Sequence, residues 1–352
     1  MPSASPPQRI LLIRPSALGD VARTVPALAI LRRAWPRARI DWLVRDTFAE
    51  AVADHPALDG VVAFPRSRFR RFGRSRRVTR EAMAWLGALR RRRYDAAFDL
   101  QGLLRSGVFT WASGAARRVG FRDAREGAWL AYNRRHAVEP GHTVDRMLGL
   151  LEAEGLPASR DMRLYTPGEA GRWAEAWLGE RGLDAGRYAV VAPTARWRSK
   201  QWPAERFDAL VERLAAYEVQ AAVVVGADGE GEGLGAVVRG EAETPRHDMV
   251  GRTTVGRLMA LIERSAVVVG NDSAAIHLAV GLGRRCLGVF GPTDPAKVGP
   301  YRYDVGVVGP GGDVAGRYRA NPGDRSLIER VTIEEAWRAL ERVMQSPPPP
   351  LT

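Results

Sequence analysis

Four stretches of this 352-residue chain combine reactive side chains with small residues that bring backbone close to a ligand. In Pro15-Ser16-Ala17-Leu18-Gly19-Asp20, Gly19 permits a tight turn or a close approach. Asp20 has two uses there: it can cap the start of a helix, or it can take a proton from an incoming hydroxyl. Spacing does not choose between them. Pro193-Thr194-Ala195-Arg196-Trp197-Arg198-Ser199-Lys200-Gln201-Trp202-Pro203 gathers hydroxyl, cationic and aromatic groups ahead of a helix that Pro203 can start. The chain holds 51 Arg and two Lys, Lys200 and Lys297. A lysine kept against that background suits a phosphate oxygen as a compact point charge, unless it survives by chance. Gly226-Ala227-Asp228-Gly229-Glu230-Gly231-Glu232-Gly233 follows a Val-rich run and offers only G-x-G-x-x-A, at Gly231, Gly233 and Ala236. As a dinucleotide fingerprint that is weak, and its acids suit sugar hydroxyls or water better than a pyrophosphate. Val267 to His277 ends an apolar run in Gly270-Asn271-Asp272-Ser273 and opens a helix with Ala274 and Ala275. Small residues there let an anion reach backbone N–H groups at the positive helix end. His277 stands one turn from Ser273 and can face the same ligand, or be an ordinary satisfied helix histidine. Val289 to Pro295 closes the same edge.

Loops of this kind need strands that end where they begin. Both halves alternate short apolar runs with segments of helical period, the pattern of α/β domains with mainly parallel sheets. Strands are predicted at Ile10–Ile13, Ile40–Val44, Val61–Phe64 and Ala96–Asp99, with helices after Asp20 and over Thr143–Ala153. A second cycle has strands Tyr188–Ala192, Ala221–Val225, Ala266–Val269 and Cys286–Phe290, with helices near 204–216, 254–263 and 273–282. The expected organisation is two domains, residues 1–165 and 187–330, joined by a linker over 166–186 that is partly helical around Trp173–Leu178. A helix at 331–345 and a disordered Pro-rich tail over 346–352 follow. Two such domains facing each other create a cleft at the carboxyl ends of both sheets, where ligands of these folds bind.

The charge is lopsided. Residues 1–165 hold 30 Arg against 16 acids, whereas residues 166–352 hold 23 basic and 24 acidic residues. Arg66–Arg93 alone carries 12 Arg and one acid, Glu81. Such a patch points to an anionic partner (nucleic acid, an acidic membrane surface or a phosphorylated substrate) or is a solvated helix face. Seven of these arginines fall in Arg66–Arg77, interleaved with Phe69 and Phe72, and their repulsion predicts a loop that is mobile until an anion arrives. No apolar run is long enough to span a membrane, the N-terminus lacks the regions of a signal peptide, and the single Cys286 allows neither an internal disulfide nor a Cys-based metal site. A soluble cytoplasmic protein is expected. A nucleic-acid binder would explain the arginines but not the two nucleotide-like loops, and a nicotinamide-dependent oxidoreductase lacks the full fingerprint.

RILLIRPSALGDVARTVPAL, YDAAFDLQGLLRSG, the KQWP segment and VVVGNDSAAIHLAVGLGRRCLGVFGPTDPAKVGPY span nearly the whole chain in this order. Together they resemble glycosyltransferase family 9, the heptosyltransferases of lipopolysaccharide core assembly, and most closely those adding the first heptose to Kdo. The resemblance implies a GT-B fold, two Rossmann-like domains facing across a cleft. The first would bind the acceptor and the second ADP-heptose, which is a substrate and not a cofactor. It implies Asp20 as catalytic base, Lys200 on the diphosphate with Thr194 beside it, Glu230 on the ribose, and Thr253 at a backbone contact to adenine. Asp272, Ser273, Ala274 and His277 would hold donor phosphate and sugar. Ser16, Gly19, Arg66, Arg68, Arg70, Arg71, Arg74, Gln101 and Arg125 would form the acceptor side. No Asp-x-Asp motif occurs, so no metal is expected. The implied partners are a nucleotide sugar, a phosphorylated glycolipid of lipid A–Kdo type, and the anionic inner face of the inner membrane, bound peripherally, with no nucleic acid. A family member using another nucleotide sugar or acceptor is the alternative.

Overall fold

A computed structural model describes residues 6–230, 234–239, 244–310 and 323–352. The chain divides into two units, Met1–Asp161 and Met162–Thr352. Gly231 and Gly233 of the glycine pattern lie outside the described residues.

In the first unit, Ile10 to Ile13 are all fully buried. A strand apolar on both faces has to be covered on both, which favours parallel strands joined by helices. The strands are β1 (Arg9–Ile13), β2 (Arg39–Arg45), β3 (Gly60–Phe64), β4 (Ala96–Asp99), β5 (Arg117–Phe121) and β6 (Arg134–His136). They form one sheet in the order β3-β2-β1-β4-β5-β6, with every neighbouring pair parallel. The helices are α1 (Leu18–Ala34), α2 (Arg76–Arg91), α3 (Leu104–Ala112) and α4 (Thr143–Glu152).

The second unit repeats the plan. It contains α5 (Gly168–Gly179), β7 (Tyr188–Ala192), α6 (Ala204–Arg213), β8 (Ala221–Val224), α7 (Gly235–Arg239), β9 (Arg246–Asp248) and α8 (Val255–Glu263). There follow β10 (Val267–Asn271), α9 (Ala274–Gly281), β11 (Cys286–Val289), α10 (Pro295–Val298), β12 (Val307–Val308) and α11 (Ile333–Gln345). Its sheet runs β12-β11-β10-β7-β8-β9, again parallel throughout. In both sheets the first strand in sequence, β1 or β7, lies where the order reverses. Loops leaving the carboxyl ends of strands on either side of such a point diverge and leave room for a ligand.

Two expectations need correction. The helical part of the segment 166–186 is α5, longer than the stretch around Trp173–Leu178: its Ala170, Ala174, Trp177 and Leu178 are buried, and Ala170 and Ala174 pack on Ala260 of α8. The tail 346–352 is ordered, because the Leu351 carbonyl accepts the Met162 N–H at 2.7 Å and the Leu351 side chain lies against Gly283. The arginine run is also tied down. Phe69 packs with Phe64 and Trp85, and Glu81 pairs with Arg68 at 2.9 Å and Arg77 at 3.0 Å, so aromatic burial and one carboxylate offset the repulsion.

Candidate active site

The loop leaving β1 turns into α1 at Leu18, and Asp20 occupies the third helical position. Its Oδ2 accepts the Ala17 N–H at 3.1 Å, so the capping reading is realised. Its Oδ1 does something the spacing did not announce: it receives Arg23 at 2.5 Å and Arg14 at 3.2 Å, both guanidiniums nine-tenths buried. Burial alone would raise this carboxyl. The Arg14 and Arg23 charges, with the Ala17 hydrogen bond, outweigh burial and hold it far below the usual carboxylate range. Asp20 is therefore held as an anion. Ser16 and Gly19 lie in the same turn, with Gly19 buried on α1.

Arg14 also donates to the Leu100 carbonyl, which couples this loop to the one leaving β4. That second loop is built on Asp99, fully buried at the end of β4. Asp99 Oδ1 accepts the N–H groups of Gln101 (2.9 Å) and Gly102 (3.1 Å), while Oδ2 accepts the Tyr132 hydroxyl at 2.6 Å. Burial pushes the Asp99 carboxyl up despite these bonds. Gly102 sits at φ +68°, a conformation that only glycine adopts cheaply. Gly120 has to be glycine for a different reason: a Cβ there would come within 2.2 Å of the Tyr132 ring. The Gly102 carbonyl accepts the Arg125 N–H at 2.9 Å, so Gln101 and exposed Arg125 sit on adjoining loops. Sequence reading missed Arg14, Arg23, Asp99 and Tyr132. The first two flank the Gly-Asp pair, and that proximity was the available signal.

In the second unit, four side chains meet at the carboxyl ends of β7, β10 and β11. Lys200 Nζ lies 2.6 Å from Asp272 Oδ2, Thr293 Oγ1 donates to the same oxygen at 2.9 Å, and His277 Nε2 is 4.0 Å from Asp272 Oδ1. Asp272 is nearly buried. Desolvation would raise its carboxyl, but the charges of Lys200 and His277 and the hydrogen bonds from Lys200 and Thr293 bring it below the ordinary range. The loop that carries Lys200 is fixed by Asn271, which sequence reading left without a role. Fully buried, Asn271 accepts the Trp202 N–H at 2.9 Å and donates to the Pro193 carbonyl at 2.6 Å, clasping both ends of the loop. Ser273 is the residue before α9, and its Oγ is buried with no hydrogen-bond partner among the described residues. Ala274 opens α9, where the first helical N–H groups lack intrahelical acceptors.

Thr194 is buried against Gly226, where a Cβ would approach Thr194 Oγ1 to 3.0 Å. The Gly226 carbonyl in turn accepts the Gly251 N–H at 3.0 Å, so the loops bearing Glu230 and Thr253 run side by side. Glu230 folds back on its own turn, accepting the Ala227 N–H at 3.1 Å. Thr253 precedes Thr254, whose hydroxyl caps α8. Of the arginine run, Arg68, Arg70, Arg71 and Arg74 are exposed and Arg66 is half-buried.

Comparison with known proteins places this geometry in a family. The profile of glycosyltransferase family 9 (heptosyltransferase) matches residues 83–313. Lipopolysaccharide heptosyltransferase 1 of Escherichia coli strain K12 is 32% identical over 299 residues, covering 83% of this chain and 91% of that protein. Among solved structures, an E. coli heptosyltransferase with ADP superposes with a TM-score of 0.74 at 26% identity, covering 95% of this chain and 99% of that one. The same enzyme with ADP-2-deoxy-2-fluoro heptose gives 0.71, with the same identity and coverage. Two Rossmann-like sheets, the Asp20 turn and the Lys200–Asp272 cluster thus occur in a sequence that matches one family along most of its length, and the chain belongs to glycosyltransferase family 9, with the GT-B fold.

Proposed function

We propose that this protein transfers a heptose from ADP-heptose to the inner core of lipopolysaccharide, at Kdo or at the first heptose, with inversion at the anomeric carbon. The observation that carries the reading is the clasped Lys200 loop: a lysine rare in this chain, fixed by Asn271 next to the start of α9. In that arrangement the Lys200 ammonium and the N–H groups at Ser273 and Ala274 meet the charge that develops on the departing ADP, the role that fixed dipoles and cations play in such transition states. Thr194 lies beside the diphosphate, Glu230 takes the ribose and Thr253 offers backbone to adenine. Asp272 orients Lys200, and with His277 it faces donor phosphate and sugar.

Asp20 is the base. A carboxylate held anionic by two guanidiniums is weak toward a free alcohol. As the new C–O bond forms, however, the attacking hydroxyl oxygen becomes strongly acidic, and a nearby carboxylate of low basicity suffices to take its proton. Ser16, Gly19, Gln101, Arg125 and the Arg66–Arg74 run hold the acceptor, a phosphorylated glycolipid. The excess positive charge of residues 1–165 draws the protein to the anionic inner face of the inner membrane as a peripheral enzyme. The test is incubation of the purified protein with ADP-heptose and a Kdo–lipid A acceptor. ADP release matched by a mass gain of one heptose on the acceptor is expected. Release from a different nucleotide sugar alone, or transfer to a different acceptor alone, overturns the assignment.

A further inference from the structure

Helix α3 is turned inside out on its solvent side. Its exposed positions are Leu104, Arg105, Val108 and Trp111, three of them apolar and spaced to form one stripe. Trp111 is 66% exposed and Leu104 54%. Beside it runs the 3₁₀ turn Ala128–Ala131, drawn against α3 so closely that a Cβ on Gly107 would come within 2.9 Å of Ala128. This turn adds exposed Trp129 and Leu130, the latter 69% exposed. Scattered single apolar residues on a surface need no explanation, but a contiguous set of this kind marks a contact surface.

The rim says what the contact is. Residues 104–135 hold seven Arg and two acids, and two of these arginines, Arg117 and Arg134, face Glu154 from outside this range. Of the acids, Asp123 is paired with Arg146 at 2.7 Å and Glu126 accepts the Leu104 N–H at 3.2 Å. The Arg135 guanidinium stands over the Trp129 ring at 5.1 Å, and Arg105, an exposed residue of α3, holds its guanidinium over the Phe64 ring at 5.9 Å. Indole rings beside guanidiniums suit the level of lipid headgroups, where the ring is half apolar and the cation meets phosphate. We propose that the outer face of α3 and the 128–131 turn form a docking surface for an anionic bilayer, with Trp111, Trp129 and Leu130 entering the headgroup–acyl boundary. This rests on the reading that the acceptor is a membrane glycolipid. It differs from attraction through the Arg66–Arg74 run alone, which would be electrostatic. The surface is continuous with the loops of Gln101 and Arg125, through Gly102 and the start of α3, so docking would bring a lipid-borne acceptor to those residues.

The experiment compares wild type with a Trp111→Ser, Leu130→Ser double variant on phosphatidylcholine vesicles with and without phosphatidylglycerol. Both positions are exposed, and an unchanged circular-dichroism spectrum and thermal unfolding profile check that the variant is folded. Wild type is expected to bind the anionic vesicles and to keep part of that binding at about 1 M salt, where screening acts over about 3 Å. The double variant is expected to bind roughly tenfold or more weakly and to lose the salt-resistant part. Equal binding by both proteins, no binding by wild type, or binding abolished by salt in wild type overturns the proposal. A wild-type dimer that the substitutions split to monomers, seen by sedimentation, also overturns it, because the face would then be a protein interface. Heptose transfer to a water-soluble deacylated acceptor is measured in parallel. Failure there is failure of the proposed activity and is separate from any outcome with vesicles.

Discussion

At the scale of single residues, Asp20 combines a structural and a chemical position in one side chain. Its Oδ2 closes the first turn of α1, and its Oδ1 is held by Arg14 and Arg23. Asp20→Asn keeps the size and can keep the Ala17 hydrogen bond, so the fold should survive. The turnover rate should drop by about 10²–10⁴, the range of a general base; turnover near that of wild type would leave Asp20 as a helix cap only. The two arginines also set a pH dependence. Because the folded-state carboxyl lies far below its ordinary range, its contribution to stability is complete above that range and is lost only as pH falls through the lowered value. An acid limb in kcat/KM from Asp20 should therefore be absent at mildly acidic pH. Arg23→Met should bring that limb upward, and an unchanged profile would show that Arg23 does not tune the base. Lys200→Ala should weaken ADP binding by about 1.5–3 kcal/mol, the worth of a charge-assisted contact. Arg at this position should rescue poorly, since a guanidinium is larger and planar. Full ADP affinity of the Ala variant in calorimetry would remove Lys200 from the donor site.

At the scale of elements, the Lys200 loop depends on Asn271, whose amide clasps Trp202 and Pro193 from the end of β10. Asn271→Ala leaves a buried N–H and a buried carbonyl without partners, which costs about 1–3 kcal/mol each. The expected result is a lower unfolding midpoint together with weaker ADP binding, since the loop would no longer hold Lys200 against Asp272. Loss of stability with intact ADP affinity would show that other contacts position the loop. Asp99 plays the matching part at the end of β4, where it orders the Gln101–Gly102 backbone.

At the scale of the whole molecule, charge is divided between the halves. Residues 1–165 are strongly basic and residues 166–352 are nearly balanced. If the basic half serves an anionic acceptor, replacing exposed Arg70, Arg71 and Arg74 by Gln should raise the acceptor KM several-fold and leave donor affinity unchanged. Added salt should imitate the substitution, because exposed charges are screened over about 8–10 Å at ordinary ionic strength. Steady-state constants for both substrates in the one variant decide it: equal loss of both, or of neither, would make the run a solvated face.

The alternation of buried apolar runs with helical periods was legible in the chain by itself, because a strand covered on both faces leaves few choices but a parallel α/β layer. Ala96–Asp99 and Tyr188–Ala192 were read to the residue for that reason. The short strand Arg117–Phe121 and the polar edge strands Arg134–His136 and Arg246–Asp248 left no such trace. What makes them strands is the neighbour they pair with, and pairing is a long-range fact. The four loops at strand ends were likewise visible as glycine, small and polar residues after apolar runs. Their wiring was not. Arg23 on Asp20 is a short-range pair, but Tyr132 reaches Asp99 and Asn271 reaches Trp202 across long stretches of chain. Phe69, which stops the arginine run from behaving as a repelling loop, does so by entering a core cluster assembled from distant segments. Local sequence sets which backbone conformations and charges are available. Only the packed sheets decide which buried carboxylates meet which donors, because that depends on strand order.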